Sequence, residues 1–169
     1  MMFKLFKDEF PLDISDEQTF KDGELRRLDR LLKEQIDAKF SSKLTLFIVD
    51  SGSCSGCELE LQTLFTPLYN IAKNGIEVVY NIKEADILVI TGLMTENMYG
   101  DVVKLYEALK EPKYVILLGD CPLLRGVFQD NFSLKRPVDI PFNDFHPIRG
   151  CPPEPKIILT EFLKYLKKL

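Results

Sequence analysis

Apolar residues form two alternating kinds of pattern from Lys43 to the end of the chain. Short continuous apolar runs predict buried strands at 44–49, 77–80, 86–90 and 114–118. Apolar residues at helical spacing between these runs predict helices at 58–70, 95–110 and from residue 155 onward. Strands that alternate with helices in this way indicate an α/β fold, in which a parallel sheet has helices on both faces. Thr66-Pro67 lies inside the first helical segment and predicts a kink or an early end there.

Residues 1–40 have a different pattern. Ser15-Asp-Glu-Gln18 has the form of a helix capping box. Apolar residues then recur at helical spacing among charged ones (Leu25, Leu28, Leu32 and Ile36), which predicts an amphipathic helix over 24–39. We therefore expect an N-terminal helical extension over 1–40 and an α/β domain over 41–169. The apolar face of the extension has two possible partners, its own domain or another subunit.

Composition and charge narrow the class of protein. The chain has 169 residues, enough for one domain with a sizeable core. Its net charge is -4, which argues against the basic surface typical of nucleic-acid-binding proteins. The apolar runs are far shorter than the roughly 20 residues of a membrane span, and Asp8 and Glu9 come too early for a secretory signal. We therefore expect a cytoplasmic location, where cysteines are more often metal ligands or catalytic groups than disulfides. Seven prolines from Pro122 to Pro155 predict an irregular C-terminal third.

The four cysteines occur in three short motifs. Cys54-Ser-Gly-Cys57 follows the first predicted strand, and Gly119-Asp-Cys121-Pro follows the strand at 114–118. Cys151 lies in Gly-Cys-Pro-Pro-Glu-Pro, so both isolated cysteines precede a proline, which stiffens the backbone. Ligands of open parallel sheets bind beyond the carboxyl ends of the strands, and we expect Cys54 and Cys121 there because each follows a strand. Thr91-Gly92 ends another strand on that edge and is predicted to form one wall of the site.

Several kinds of cysteine site are considered for this pattern. Four thiolates around an iron–sulfur cluster tolerate one close pair and two distant single cysteines. Structural zinc usually takes two close pairs. A Cys-x-x-Cys redox enzyme would leave Cys121 and Cys151 without a role, and buried inert cysteines rarely all stand in loops beside glycine or proline. The pattern favours the cluster, while a zinc-stabilised structural adaptor and a dithiol redox enzyme remain open.

Taken together, the three motifs resemble those of a known family. Cys54-Ser-Gly-Cys57-Glu-Leu-Glu60, Gly119-Asp-Cys121-Pro and Gly150-Cys151-Pro-Pro-Glu-Pro155 occur in the order seen in the small electron-transfer subunit of energy-converting, membrane-bound nickel–iron hydrogenases. The family includes related membrane-bound sulfur-reducing complexes and the 20-kDa-type subunit of respiratory complex I. The resemblance covers about residues 43–169. It implies a flavodoxin-like α/β domain without flavin, and one 4Fe–4S cluster bound by Cys54, Cys57, Cys121 and Cys151.

The resemblance also implies a function within a larger complex. The chain would carry electrons between a ferredoxin-like 4Fe–4S subunit and a large hydrogenase-like subunit, with its cluster next to the active site of the latter. Protons or a sulfur compound would be reduced on that large subunit, and membrane subunits would couple the reaction to ion pumping. The chain would thus be a peripheral subunit of an oxidoreductase complex, on the cytoplasmic face of the membrane. Complex I subunits have adjacent cysteines in the first motif, so Ser55 and Gly56 favour the hydrogenase branch, with quinone reduction as the alternative.

Five further residues have candidate roles. Glu60 matches an acidic position of the family and is either a proton-path carboxylate at the large-subunit interface or a solvated helix acid. Glu58 is interpreted as a plain first-turn acid. Arg125 and Arg149 stand where relatives carry glycine and proline, and each either raises the cluster potential or forms a salt bridge. His146 is the only histidine and is interpreted as a loop residue that contacts a partner.

Overall fold

The computed structural model describes residues 23–125, 133–135, 142 and 144–169. Five strands form one sheet: β1 (Leu44–Asp50), β2 (Ile76–Val78), β3 (Ile87–Thr91), β4 (Tyr114–Leu118) and β5 (His146–Ile148). All neighbouring pairs are parallel, in the order β2-β1-β3-β4-β5. This is the flavodoxin-like order, whose switch point lies between β1 and β3. The register places Asp50, Thr91, Leu118 and Ile148 side by side at the carboxyl edge.

Helices cover both faces of the sheet. The helices are α1 (Gly23–Lys39), α2 (Gly56–Thr63), α3 (Glu96–Ala108) and α4 (Pro155–Lys168). Helices α1, α2 and α4 pack on one face, where Ile87 and Val89 of β3 point, and α3 packs on the other, where Leu88 and Ile90 point. Successive strand residues point to opposite faces, so a strand buried on both sides is apolar throughout. The predicted α/β fold with helices on both faces is therefore confirmed.

Helix α1 packs against the α/β domain within the described part of the chain. Its Leu32 and Ile36 are buried in the same core cluster as α4. Asp29 accepts a hydrogen bond from the Asn74 amide and lies 3.0 Å from the Lys73 ammonium group. Of the two partners considered for the apolar face, its own domain is the one observed here. The capping box predicted at 15–18 lies outside the described residues, and the division at residue 40 stays a prediction.

Helix α2 ends at Thr63, before residue 70, so the early end predicted from Thr66-Pro67 is confirmed; Pro67 has no amide N–H to continue the hydrogen-bond ladder. Two other local predictions need correction. The C-terminal third contains a strand, β5, that the sequence pattern did not predict. His146 opens this strand and is not a loop residue. None of the helices in the described part combines the length and apolar character needed to cross a membrane.

Candidate metal centre

The four cysteines lie at the carboxyl edge of the sheet. Cys54 and Cys57 follow β1, Cys121 follows β4, and Cys151 follows β5. Cys57 is buried, Cys121 is half-buried, and Cys54 and Cys151 are exposed. All four are free thiols. The fold therefore brings three distant segments of chain to one rim, and Cys57 is the most buried of the four cysteines.

The thiols act on one another electrostatically. The pKa of Cys57 is raised to about 12, mainly by burial and in addition by the charges of Glu58 and the other three cysteines. The pKa of Cys121 is also raised, first by burial and then by the nearby Cys151 and Cys54. Cys151 lies within hydrogen-bonding distance of Cys121. Two thiolates this close repel each other in a poorly solvated site. A group of positive charge that binds the sulfurs would remove this repulsion, as metal ions do for coordinating thiols.

Glycine is required at two positions next to the single cysteines. Gly119 has a φ of +95°, and a Cβ atom there would stand 2.6 Å from Sγ of Cys57. Gly150 has a φ of +143°, and its Cβ would stand 2.5 Å from Cα of Pro153. Only glycine adopts such backbone conformations without strain. Gly119 thus places the loop after β4 directly against the Cys57 sulfur, and Gly150 allows the close approach of Pro153.

The loop that carries Cys54 is held by hydrogen bonds to β3. The amide and the hydroxyl group of Ser51 donate to the carbonyl oxygen of Thr91, at 3.0 and 2.6 Å. The carboxylate of Asp50 accepts from the amides of Gly52 and Ser53, at 2.7 and 2.6 Å. These contacts turn the chain sharply after β1. Thr91 lies against this turn, at the position where a wall of the site was predicted.

The loops after β4 and β5 are joined to each other. The amide of Gly119 donates to Ile148 at 2.8 Å, and the amide of Asp120 donates to Gly150 at 2.9 Å. The guanidinium group of Arg149 also pairs with the carboxylate of Asp120. Of the two roles considered for Arg149, the salt bridge is therefore present. Because Asp120 precedes Cys121 and Arg149 lies two positions before Cys151, the pair bridges the two single-cysteine motifs.

Two residues differ from their sequence-based interpretation. Glu58 is more than a first-turn acid, because its carboxylate accepts a hydrogen bond from the hydroxyl group of Thr91 at the end of β3. His146 stacks on Tyr165 with 4.9 Å between the ring centroids, and its Nε2 lies 3.4 Å from a Glu161 oxygen. Burial lowers the pKa of His146. Glu60 is partly exposed, Arg125 is exposed, and the roles considered for both stay predictions.

Fold and site together define a flavodoxin-like α/β domain with four cysteines at its carboxyl edge. Within the described residues, no three Cys, His, Asp or Glu side chains are arranged as ligands of a single metal ion. A model of the family described as "NADH ubiquinone oxidoreductase, 20 Kd subunit" matches residues 54–165. The chain belongs to this family, and the resemblance inferred from its motifs is confirmed.

Individual relatives agree with this family assignment. The chain is 39% identical over 126 residues to the probable membrane-bound hydrogenase subunit mbhJ of Pyrococcus furiosus, covering 73% of this chain and 74% of that protein. It is 32% identical over 133 residues to formate hydrogenlyase subunit 7 of Escherichia coli, covering 78% of this chain but only 51% of that protein. Among solved structures it is similar to a chain of the membrane-bound sulfane sulfur reductase, an archaeal respiratory membrane complex. That match has a TM-score of 0.64 and 27% identity, over 79% of this chain and 75% of the other.

Proposed function

We propose that Cys54, Cys57, Cys121 and Cys151 bind one 4Fe–4S cluster and that the chain is an electron-transfer subunit. The observation that carries this proposal is the mutual interaction of thiols from three separate segments at one edge of the sheet. Each iron of such a cluster takes one thiolate, so the four sulfurs surround a volume instead of converging on one ion. A zinc-stabilised adaptor would need four ligands around a single ion.

The residues at this edge fit the proposed group. The donor set consists of four cysteines, which is the usual ligand set of a 4Fe–4S cluster. Gly119 has no side chain where it faces Cys57, and a Cβ at Gly56 would stand 3.5 Å from Sγ of Cys54, so both sulfurs lie beside small residues. When bound, the cluster would supply one-electron reduction and oxidation. The chain would hold it, and burial of Cys57 would limit the access of water to one side.

The relatives support the proposal of partners within a membrane complex. We infer that the chain belongs to a membrane-bound complex of the hydrogenase or sulfur-reductase type, because relatives of both kinds match most of its length. In this arrangement a ferredoxin-like 4Fe–4S subunit delivers electrons, and the large hydrogenase-like subunit reduces protons or a sulfur compound. Membrane subunits couple the reaction to ion pumping. The chain itself is a peripheral subunit on the cytoplasmic face and carries the cluster nearest the active site.

Metal analysis of the anaerobically purified chain tests the cluster. We expect a brown protein with about four irons and four sulfides per chain, whose visible absorbance is bleached by dithionite. Replacing any one of the four cysteines by serine should lower the iron content, whereas Gly100→Ala, inside α3 where a Cβ meets nothing within 4 Å, should leave it unchanged. A colourless protein with one zinc would support the adaptor instead. Full iron content in the Cys151→Ser variant would contradict the four-cysteine site.

The electron-transfer role needs a separate test in the assembled complex. Affinity purification of the tagged chain from its native membranes should recover a large subunit with hydrogenase-type metal ligands and a ferredoxin-like subunit. Reduction of the cluster in that complex should be observed by electron paramagnetic resonance after addition of reduced ferredoxin. Recovery of a complex whose cluster is oxidised by a quinone would assign the chain to the complex I branch.

A further inference from the structure

Thr91 lies at the switch point of the sheet and makes contacts with three segments around the first cysteine motif. Its side chain is fully buried. Its carbonyl oxygen accepts hydrogen bonds from Ser51, and its hydroxyl oxygen lies 3.2 Å from the carbonyl oxygen of Val49 at the end of β1. The same hydroxyl group donates to the carboxylate of Glu58, in the first turn of α2. A single buried side chain thus joins the end of β1, the end of β3 and the start of α2.

The Glu58 contact is unusual for a first-turn acid. Such acids normally extend into solvent, where the helix dipole stabilises them weakly. Here one carboxylate oxygen is bound by Thr91, and the other is buried without a hydrogen-bond partner in the described part of the chain. Leaving a buried polar atom unpaired costs free energy. The side chain therefore stays in this position because the contact with Thr91 and the packing around it outweigh that cost.

The contact between Thr91 and Glu58 affects the position of Cys57, because Cys57 directly precedes Glu58. Cys57 is the most buried of the four cysteines, and its sulfur faces Gly119 of the neighbouring loop. Helix α2 has only eight residues, and Ser55, the residue before its first turn, has a φ of +64° in the left-handed region. Ser55 caps the helix without a side-chain hydrogen bond. A short helix that lacks a side-chain cap depends on tertiary contacts for its first turn.

We propose that Thr91 is a positioning residue of the metal centre: its hydroxyl group holds the Glu58 carboxylate, and this contact fixes the first turn of α2 and the sulfur of Cys57. The inference rests on the proposed function, because it is the cluster that requires its ligands at set positions. The contact itself exists in the chain without a cluster. It can therefore be tested separately in the metal-free protein and in the loaded protein.

The sheet supplies a matched control at its opposite edge. Thr45 is the second residue of β1 and is also buried, and its hydroxyl group lies 2.6 Å from the carboxylate of Asp86. Thr45→Val and Thr91→Val therefore each remove one hydroxyl group that contacts a carboxylate from within the sheet. Both variants should have a lower melting temperature. Only Thr91→Val should change the metal centre, and Thr91→Ser, which keeps the hydroxyl group, should behave as the wild type.

The decisive measurement is the alkylation rate of Cys57 in the metal-free chain, followed by peptide mass spectrometry. We expect Thr91→Val to react several times faster at Cys57 than Thr45→Val or the wild type. Glu58→Ala should also react faster, in part because loss of the Glu58 charge lowers the pKa of Cys57. The double variant should react no faster than Glu58→Ala, because the contact that Thr91→Val removes is already gone. Equal rates in Thr91→Val and Thr45→Val, or a further increase in the double variant over Glu58→Ala, would overturn the proposal. Thr91→Ala, which also lacks the hydroxyl group, keeps the test available if Thr91→Val does not fold.

The anaerobically loaded chain gives a second measurement. Thr91→Val and Glu58→Ala should lose iron to a chelator faster than Thr45→Val does. If the wild type binds no iron, the proposed function fails, while the alkylation rates still decide whether Thr91 positions Cys57. If the wild type binds the cluster and all variants lose iron at one rate, the cluster assignment stands and the positioning role is wrong.

Discussion

The contact between Gly119 and Cys57 makes a quantitative prediction. In Gly119→Ala, the added Cβ would lie 2.6 Å from Sγ of Cys57, well inside van der Waals contact. Overpacking of this kind costs about 1–3 kcal/mol, and the φ of +95° adds about 1–2 kcal/mol for a residue with a side chain. We therefore expect a total loss of roughly 2–5 kcal/mol in the free energy of unfolding. If Cys57 rotates away to avoid the clash, its sulfur leaves the candidate centre.

Urea denaturation of the metal-free, reduced chain measures this loss, and iron content after anaerobic loading measures the displacement of the sulfur. Gly100→Ala is the control, because Gly100 lies inside α3 and a Cβ there meets nothing within 4 Å. That variant should gain about 0.5–1 kcal/mol, since alanine is the better helix former.

A second substitution separates the two parts of the expected cost. Replacing Cys57 by alanine removes the sulfur that the new Cβ meets, so Gly119→Ala should cost less in a Cys57→Ala background. The difference should be about 1–3 kcal/mol, the overpacking part of the loss. What remains should be the backbone cost of the positive φ. If Gly119→Ala costs the same with and without the Cys57 sulfur, the close approach of β4 to Cys57 is not what requires glycine here.

Three further predictions concern the thiols, the ion pair and the histidine. Iodoacetamide near pH 8.5 should modify Cys54 several times faster than Cys57 in the metal-free chain, because Cys54 is exposed and burial raises the pKa of Cys57 to about 12; equal rates would contradict this geometry. Arg149→Ala should destabilise the chain by at most about 1 kcal/mol in urea denaturation, since its pair with Asp120 is partly exposed; a larger loss would mean that the pair holds the two loops together. Burial lowers the pKa of His146 from 6.5, so the unfolded chain takes up the proton first and stability falls as the pH drops below about 6.5. His146→Gln should reduce that fall, and identical pH profiles of the melting temperature would contradict it.

Hydrophobic patterning was sufficient for most of the architecture. Strands β1, β3 and β4 are continuous apolar runs because both of their faces are buried, and such runs are visible without any structure. The position of three cysteines at one edge followed from the same patterning, since they come after strands that must be parallel. Cys151 could be assigned to the same site only from its motif, because the strand before it was not predicted.

The missed features depend on contacts between distant residues. Strand β5 has three residues with proline in the middle, and proline argues against a strand unless the strand lies at a sheet edge, as β5 does. The hydrogen bond between Thr91 and Glu58 spans 33 positions, and neither residue's local sequence differs from that of an ordinary strand end or helix start.

The sheet order has a consequence for synthesis and maturation. β5 is an edge strand, joined to the sheet only through β4, and it leads directly into Cys151. During translation the first four strands emerge well before this last segment, so the set of four thiols is complete only when nearly the whole domain has been made. Iron inserted at that stage would bind the folded domain and not its incomplete precursors, and would stabilise the finished product by mass action. Loading of the site would thus report that the final strand has docked.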